Sequence, residues 1–508
     1  MRMALSFLLL LVASACVSVP VPPDAQALQR HAANWHEQSG VDASDTGTPP
    51  DENWWHTIAD PVLGQLITMA WENNYDIKIA QARLQQEAAG RQQARALLLP
   101  SVGAQTSYTW TEQSLNSPAG PSSLINAGLI DRELEFWNAS IEQSWEIDLF
   151  GANRYQVNSA TARMQAAMAA RHGAAQAVLA QVVSAYVEYH GFRQRLDVLA
   201  RNTALQEASL VIIERRADLG LESRLAVRRA AGQLATARAG VPGLRGAQQA
   251  AMHRLTVLLD VPAGELDPLL HSSSGMLALP AAATGIKSEL LMRRPDVAVA
   301  ELMMQASAAD VGVAKANLFP RFALSAVGGY ESSSVSSLIN GASRSLGIVP
   351  QLSAPLFQGG RLRAQRDAAQ ARWVSALANY QKTVVAACAD AEIELARYYS
   401  ERRAAEHVEL AFDEEQAAAE LAQKLYERGL LNALELIDAR RRSLQAEDEW
   451  IRNRIRQQLT FVNLYIALGG GWQSFAEHQV HENRVHEPQV HEPQVHHTLT
   501  HENTLPNP

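Results

Sequence analysis

The 508-residue chain is 47% hydrophobic and 19% charged, which supplies ample material for a folded core. Its net charge of -9 argues against a nucleic-acid partner, which would call for a basic stripe. If Cys16 is modified, Cys388 has no partner, so no intrachain disulfide supports the fold; Cys388 reads as a small buried helix residue.

Residues 1–15 read as an export signal. Arg2 precedes an apolar run from Leu5 to Val12, and Ala13, Ser14 and Ala15 stand directly before Cys16. Small residues before a cysteine resemble a bacterial lipobox, which implies a covalent lipid on the Cys16 thiol, although Ala13 stands where that motif usually has leucine. Val17 rather than an aspartate follows, so outer-membrane sorting is the expectation. Residues 16–59 then form a lipidated, extended segment. Past the leader no apolar run approaches the roughly 20 residues of a membrane-spanning helix. Any crossing of a membrane would use strands.

The rest of the chain is written twice, at 60–260 and 287–472, with 261–286 between. "NNYDIKIAQARLQQEAAGRQQARALLLPSV" from 73 aligns without a gap to "RRPDVAVAELMMQASAADVGVAKANLFPRF" from 293. "LFGANR" at 149 meets "LFQGGR" at 356, and "GLESRL" at 220 meets "GLLNAL" at 429. A period this long excludes a solenoid, whose unit is roughly 20 to 50 residues. The chain is a duplicated domain.

Each copy opens with a helix ending at Pro100 or Pro320, followed by strand pairs at about 101–149 and 321–357. In "SVGAQTSYTW", Val102, Ala104, Thr106, Tyr108 and Trp110 alternate with polar residues; in "FWNASIEQSWEIDLF", Trp137, Ala139, Ile141, Trp145, Ile147 and Leu149 do so. The second copy alternates Phe322, Leu324, Ala326 and Tyr330, then Leu346, Ile348, Leu352 and Leu356. This period of two predicts strands with one apolar face, about as long as the 9 to 11 residues of a tilted transmembrane strand. A half-exposed soluble sheet would alternate in the same way. Pro350 implies an edge strand or a bulge.

No proline occurs between Pro121 and Pro242 or between Pro355 and Pro488, which permits long helices. From Ala152 to Ala217, and again from Arg361 to Tyr426, a continuous helix would reach about 100 Å. Gly220 and Gly429 suit left-handed turns, after which helices of about half that length return to Leu259 and Leu468. The connector "VPAGELDPLLHSSSGMLALPAAATG" predicts an extended surface segment. Four strands per chain make an open sheet, and hydrocarbon does not tolerate open edges. Two copies would give eight strands with a filled interior, and three would give twelve around a lumen.

Taken in order, "WWHTIADPVLGQLI", "LLMRRPDVAVAE", "AKANLFPRFALSAVGGY", "PLFQGGRLRAQ", "YERGLLNALELIDARRRSL" and "LYIALGGGW" resemble the TolC-like outer-membrane factors, most closely the NodT-type efflux lipoproteins, over about residues 50–472. The resemblance implies an α+β membrane protein: a homotrimeric 12-stranded outer-membrane barrel, four strands per chain, continued by a long α-helical periplasmic barrel. It implies docking to a periplasmic adaptor and an inner-membrane pump of the RND type. The adaptor would meet the tip residues Gly220, Leu221, Ser223, Gly429, Leu430 and Asn432. Glu435 and Asp438 match the family's constriction acids, so threefold repetition would set six carboxylates around an axis as a periplasmic gate. Their spacing equally allows ion pairs with Arg441 and Arg442. Leu431 stands where the family has a locking arginine and Ala226 where an acidic partner is expected, which leaves Arg224 and Arg228 as alternative locks.

Residues 473–508 turn to His, Glu, Asn and Pro with a short tandem repeat, and read as a disordered tail. His491, His496 and His497 lack regular ligand spacing. No nucleophile elbow, phosphate loop or zinc-protease motif is present, so neither an enzyme nor a cofactor beyond the Cys16 lipid is expected. The rival readings are a periplasmic adaptor, which would carry one hairpin flanked by compact β-domains, and an autonomous porin, which would need many more strands.

Overall fold

The structure, a computed structural model, describes residues 18–20, 60–116, 122–273, 277, 293–473 and 475. The export signal, Cys16, the latter part of the connector and the histidines of the tail lie outside the described residues.

Helices α1 (Pro61–Asn73) and α2 (Tyr75–Ala96) lead to strands β1 (Ser101–Glu112) and β2 (Glu133–Ile147), then to α3 (Ala152–Asp218), α4 (Arg224–Leu259) and α5 (Ala263–His271). The second copy supplies α6 (Pro295–Ala316), β3 (Arg321–Ser332), β4 (Arg344–Ser353), α7 (Arg361–Glu427) and α8 (Ala433–Ala467). Helices α3 and α7 each run 67 residues, or about 100 Å at 1.5 Å per residue.

Helix α1 starts where it does because Asp60 accepts from the amides of Val62 and Leu63 at 2.9 and 3.2 Å and Pro61 occupies the first turn, where its missing N–H costs nothing. Its buried face, Leu63, Leu66 and Ile67, joins Val178, Leu179, Val182 and Tyr186 from the middle of α3, Leu255 and Leu259 of α4, and Phe461 and Tyr465 of α8. This belt is the main core. The remaining length of the long helices buries far less, and Cys388 lies buried in α7 as expected.

The strands form one antiparallel sheet in the order β1-β2-β3-β4. Pairing is unbroken from Arg321↔Ser353 to Tyr330↔Arg344, so Pro350 lies in an edge strand without a bulge. That position spares the sheet interior a missing donor.

Four expectations need correction. Leu149 and Leu356 lie beyond the strand ends, and Leu356 is 95% exposed. The connector is not extended where it starts: α5 buries Leu266 and Leu270, one helical turn apart, and Leu277 follows them into the core. The tail that was expected to be disordered from 473 is ordered at its start, where Phe475 is fully buried in the main core with its ring 5.6 Å from that of Trp71. Finally, α6 is by length and composition apolar enough to cross a membrane, although no such run was expected. Its composition has another cause: it packs along both α3 and α7 and ties itself to α3 through Asp310, which accepts from Ser159 at 2.6 Å and Arg163 at 2.7 Å.

Candidate functional site

Opposed residues in adjacent strands share a face of the sheet, and the register aligns the apolar positions of all four strands. Tyr108 opposes Trp137, their ring centroids 4.4 Å apart. Trp145 opposes Leu324 and Leu324 opposes Pro350; Ala326 opposes Ile348. On the other face Gln105 meets Ser140, Ser140 meets Gly329, and Gly329 meets Ser345. Val102, Trp110, Ile141, Leu346, Ile348 and Leu352 are exposed. The sheet is therefore two-sided, with an apolar face open to its surroundings and a polar face opposite.

At the far end of the helices the two turns are built alike. Gly220 has φ 73 and Gly429 φ 70, a left-handed conformation that glycine adopts without Cβ strain. The Leu221 amide donates to the Arg216 carbonyl at 2.8 Å and the Gly220 amide to Ala217 at 3.0 Å; Leu430 to Leu425 and Gly429 to Tyr426, both at 2.9 Å, repeat the pattern. These paired bonds satisfy helix-end carbonyls that would otherwise lack donors. Ser223 and Asn432 then cap the returning helices: Ser223 Oγ accepts from Ala226 at 3.2 Å, and Asn432 Oδ1 from Leu434 and Glu435 at 3.0 Å each. Leu221 is 64% and Leu430 71% exposed, so neither leucine is used to hold its own turn.

Glu435 is exposed at the start of α8 and forms no ion pair among the described residues. Asp438 sits one turn on, with Arg441 at 2.5 Å and Arg442 at 2.9 Å. The hydrogen bond from Arg441, with the positive charge of both arginines, holds the Asp438 carboxyl below its ordinary range. Both spacings read from the sequence are thus present together: the two acids are near neighbours on the helix, and Asp438 is also paired with its arginines.

The tips stand side by side. A cleft of about 580 Å³ between them is lined by Arg216 and Glu222 from the first hairpin and by Glu415, Glu435, Asp438 and Arg442 from the second. Glu222 pairs with Arg216 at 3.4 Å. Glu222 and Glu415 were not marked by any motif, since only the packing of one hairpin on the other brings them to Glu435 and Asp438. Arg224 and Arg228, the alternative locks, form no ion pair among the described residues.

The comparisons with known proteins point the same way. The profile of a family described as outer membrane efflux protein matches residues 66–260 and 286–470, one stretch in each copy. The pyoverdine export outer membrane protein OpmQ of Pseudomonas putida is 31% identical over 457 residues, covering 90% of this chain and 95% of the relative. The outer membrane protein OprJ of Pseudomonas aeruginosa is 32% identical over 447 residues, covering 87% and 91%. Among solved structures, the outer-membrane channel OprN matches with a TM-score of 0.77 at 30% identity, over 89% of this chain and 99% of that one. The Campylobacter jejuni CmeC outer membrane channel, at 19% identity and a TM-score of 0.79 over 93% and 98%, shares the fold. A doubled helical hairpin carrying one open, two-faced sheet, matched nearly end to end by these channels, places the chain in the outer membrane efflux protein family.

Proposed function

We propose that three copies of this chain close a twelve-stranded barrel in the outer membrane and a helical tube below it, forming the passive exit duct of a tripartite efflux system. The family consists of transport ducts rather than enzymes, and the protein is an outer-membrane channel component that extends into the periplasm. The observation that carries the threefold reading is the open sheet: β1 and β4 each lack a partner on one side among the described residues. In lipid every backbone donor and acceptor must be satisfied, so neighbouring copies have to complete the wall. Twelve strands leave a lumen where eight would not.

The tip residues Gly220, Leu221, Ser223, Gly429, Leu430 and Asn432 are assigned to a periplasmic adaptor, and an inner-membrane pump of the RND type supplies the energy. The exposed leucines support the adaptor assignment, because each turn is closed by its own backbone bonds and leaves its leucine free for a partner. Glu435 and Asp438, brought around a threefold axis, would bind cations and resist apolar solutes as a gate. A toluene efflux pump outer membrane protein, TtgF of Pseudomonas putida, is 30% identical over 428 residues, in keeping with small-molecule export. The adaptor reading fits less well, since the hairpin and strand pair are both duplicated and all four strands share one sheet.

A lipid on Cys16 would help to hold the duct in the membrane. Ser18 lies against the foot of the sheet, its carbonyl accepting from Lys315 Nζ at 2.7 Å, six residues before β3 begins. Membrane fractionation with chemical crosslinking tests the whole reading. A trimer in the outer membrane is the expected result; a soluble periplasmic monomer would overturn it.

A further inference from the structure

We infer that neighbouring copies meet along an arginine-against-carboxylate seam, formed by α4 of one copy and the tip-proximal half of α7 of the next. This rests on the closed ring proposed above and specifies how the ring is joined.

Within one chain the long helices lie in the order α4, α3, α8, α7: α4 packs along α3, α3 along α8, and α8 along α7. Helices α4 and α7 are therefore the two flanks, and each leaves its outward side without a long-helix neighbour. The flanks carry opposite charge. The 36 residues of α4 include Arg224, Arg228, Arg229, Arg238, Arg245 and Arg254 and no Asp or Glu. From 406 to 427, α7 has seven carboxylates and only Lys424 among Lys and Arg.

Most of these charges are unused inside the chain. Arg238 reaches Glu207 at 2.6 Å and Arg254 pairs with Glu188, but Arg224, Arg228, Arg229 and Arg245 form no ion pair among the described residues. Neither do Glu406, Glu409, Asp413 or Glu414. An exposed helix face of one sign is ordinarily solvated, so charge alone would decide little; shape and height decide more.

Opposite its buried line of Ala230, Leu234, Ala251 and Leu255, helical spacing places Arg228, Gly232, Ala235, Ala239 and Gly246 on the outward side of α4. A Cβ built on Gly232 or Gly246 meets nothing within 4 Å, so this shallow strip is open. The outward side of α7 offers Leu410 and Leu421, both 57% exposed. Leucines against a strip of small residues let two helices approach closely.

The heights also agree. The shared cleft sets the two tips level, so distance along each helix can be counted from its tip glycine. At 1.5 Å per residue, Arg228 lies about 12 Å up and Glu420 about 14 Å, Arg238 about 27 Å and Asp413 about 24 Å, Arg245 about 37 Å and Glu406 about 35 Å. Arg238 and Arg245 fall on one edge of the α4 face. When the antiparallel flanks of two copies are set side by side in a ring, Glu406, Asp413 and Glu420 fall on the matching edge of α7.

Charge reversal with rescue tests the seam in the full-length protein. Glu406→Arg with Asp413→Arg and Glu420→Arg should remove most of the trimer seen on native gels in mild detergent. Adding Arg228→Glu, Arg238→Glu and Arg245→Glu should restore it. Raising salt to about 0.5 M, where screening acts within a few Å, should weaken the wild-type trimer but strengthen the reversed one. In an otherwise unaltered chain, Arg245→Cys with Glu406→Cys should give a ladder of covalently joined copies with a short thiol crosslinker. A normal trimer that resists the triple reversal, or that gives no ladder, would overturn the seam and leave the exit duct standing. A monomer in the native membrane would instead overturn the duct itself.

Discussion

Arg441 donates to Asp438 across 2.5 Å, one turn along the same helix, while Arg442 holds the other carboxylate oxygen at 2.9 Å. Asp438, proposed above as one of the two gate acids, is thus held in its ionised form. Replacing both acids, Glu435→Ala with Asp438→Ala, should raise ion conductance in planar bilayers and weaken block by divalent cations. Unchanged conductance and block would remove the pair from gating.

The same ion pairs set a pH dependence. Because the arginines lower the Asp438 pKa, its charge persists to lower pH than that of an unpaired aspartate. Divalent block in the wild type should accordingly survive into acid. In Arg441→Ala with Arg442→Ala the carboxyl regains a higher pKa, so block should fade at a higher pH than in the wild type. Coincident pH profiles would show that Asp438 does not face the conducting path.

Lys315 holds the Ser18 carbonyl at the foot of the sheet, which suits a lipid close by. Cys16→Ser should abolish labelling with radioactive palmitate, whereas Lys315→Ala should leave labelling intact and loosen the segment, read as faster proteolysis near residue 18. Persistent labelling of Cys16→Ser would mean another attachment point.

Gly329 faces Ser140 across the β2–β3 ladder, and an added Cβ would press on the Ala139 carbonyl oxygen and lie 2.6 Å from the Ser140 Cα. Backbone in mid-sheet cannot step aside as a flexible side chain can. Gly329→Ala should therefore cost about 1–3 kcal/mol, seen as less assembled channel and a lower melting temperature. At Gly328 a Cβ would meet only Leu346 Cδ1, at 3.4 Å, so Gly328→Ala should be tolerated. Equal behaviour of the two variants would contradict this register.

What was legible in the sequence was local. The glycine turns and the period-two strands depend on a few adjacent residues and appear where those residues predict them, Leu149 and Leu356 excepted. The burial of Leu266 and Leu270 was hidden, since a segment rich in Pro, Ser and Gly reads as a surface loop until a distant core recruits it. The apolar character of α6 was ambiguous for a similar reason: being covered on two sides by α3 and α7 favours the same residues as lipid does. Glu222 and Glu415 depend on which hairpin stands beside which, a relation that no spacing along one strand of text encodes.

His190 of α3 is 1% exposed, in edge contact with the rings of Tyr186 and Tyr189, and its Nε2 has no hydrogen-bond partner among the described residues. Burial, with Arg193 adding to it, lowers its pKa from 6.5 to about 4; Asp60 opposes this and His271 reinforces it. Between those values an unfolded chain binds a proton that the folded one refuses. Stability from this group is therefore complete above pH 6.5 and is lost as pH falls towards 4, by roughly 3 kcal/mol at most. His172, stacked on Trp472, is lowered to about 4 by burial and by Arg171, and acts in the same direction. Replacing His190 with Phe should flatten the fall in melting temperature between pH 6.5 and 4 without abolishing it, because His172 still contributes. A variant whose melting temperature falls as steeply as that of the wild type would show that His190 takes up its proton in the folded channel.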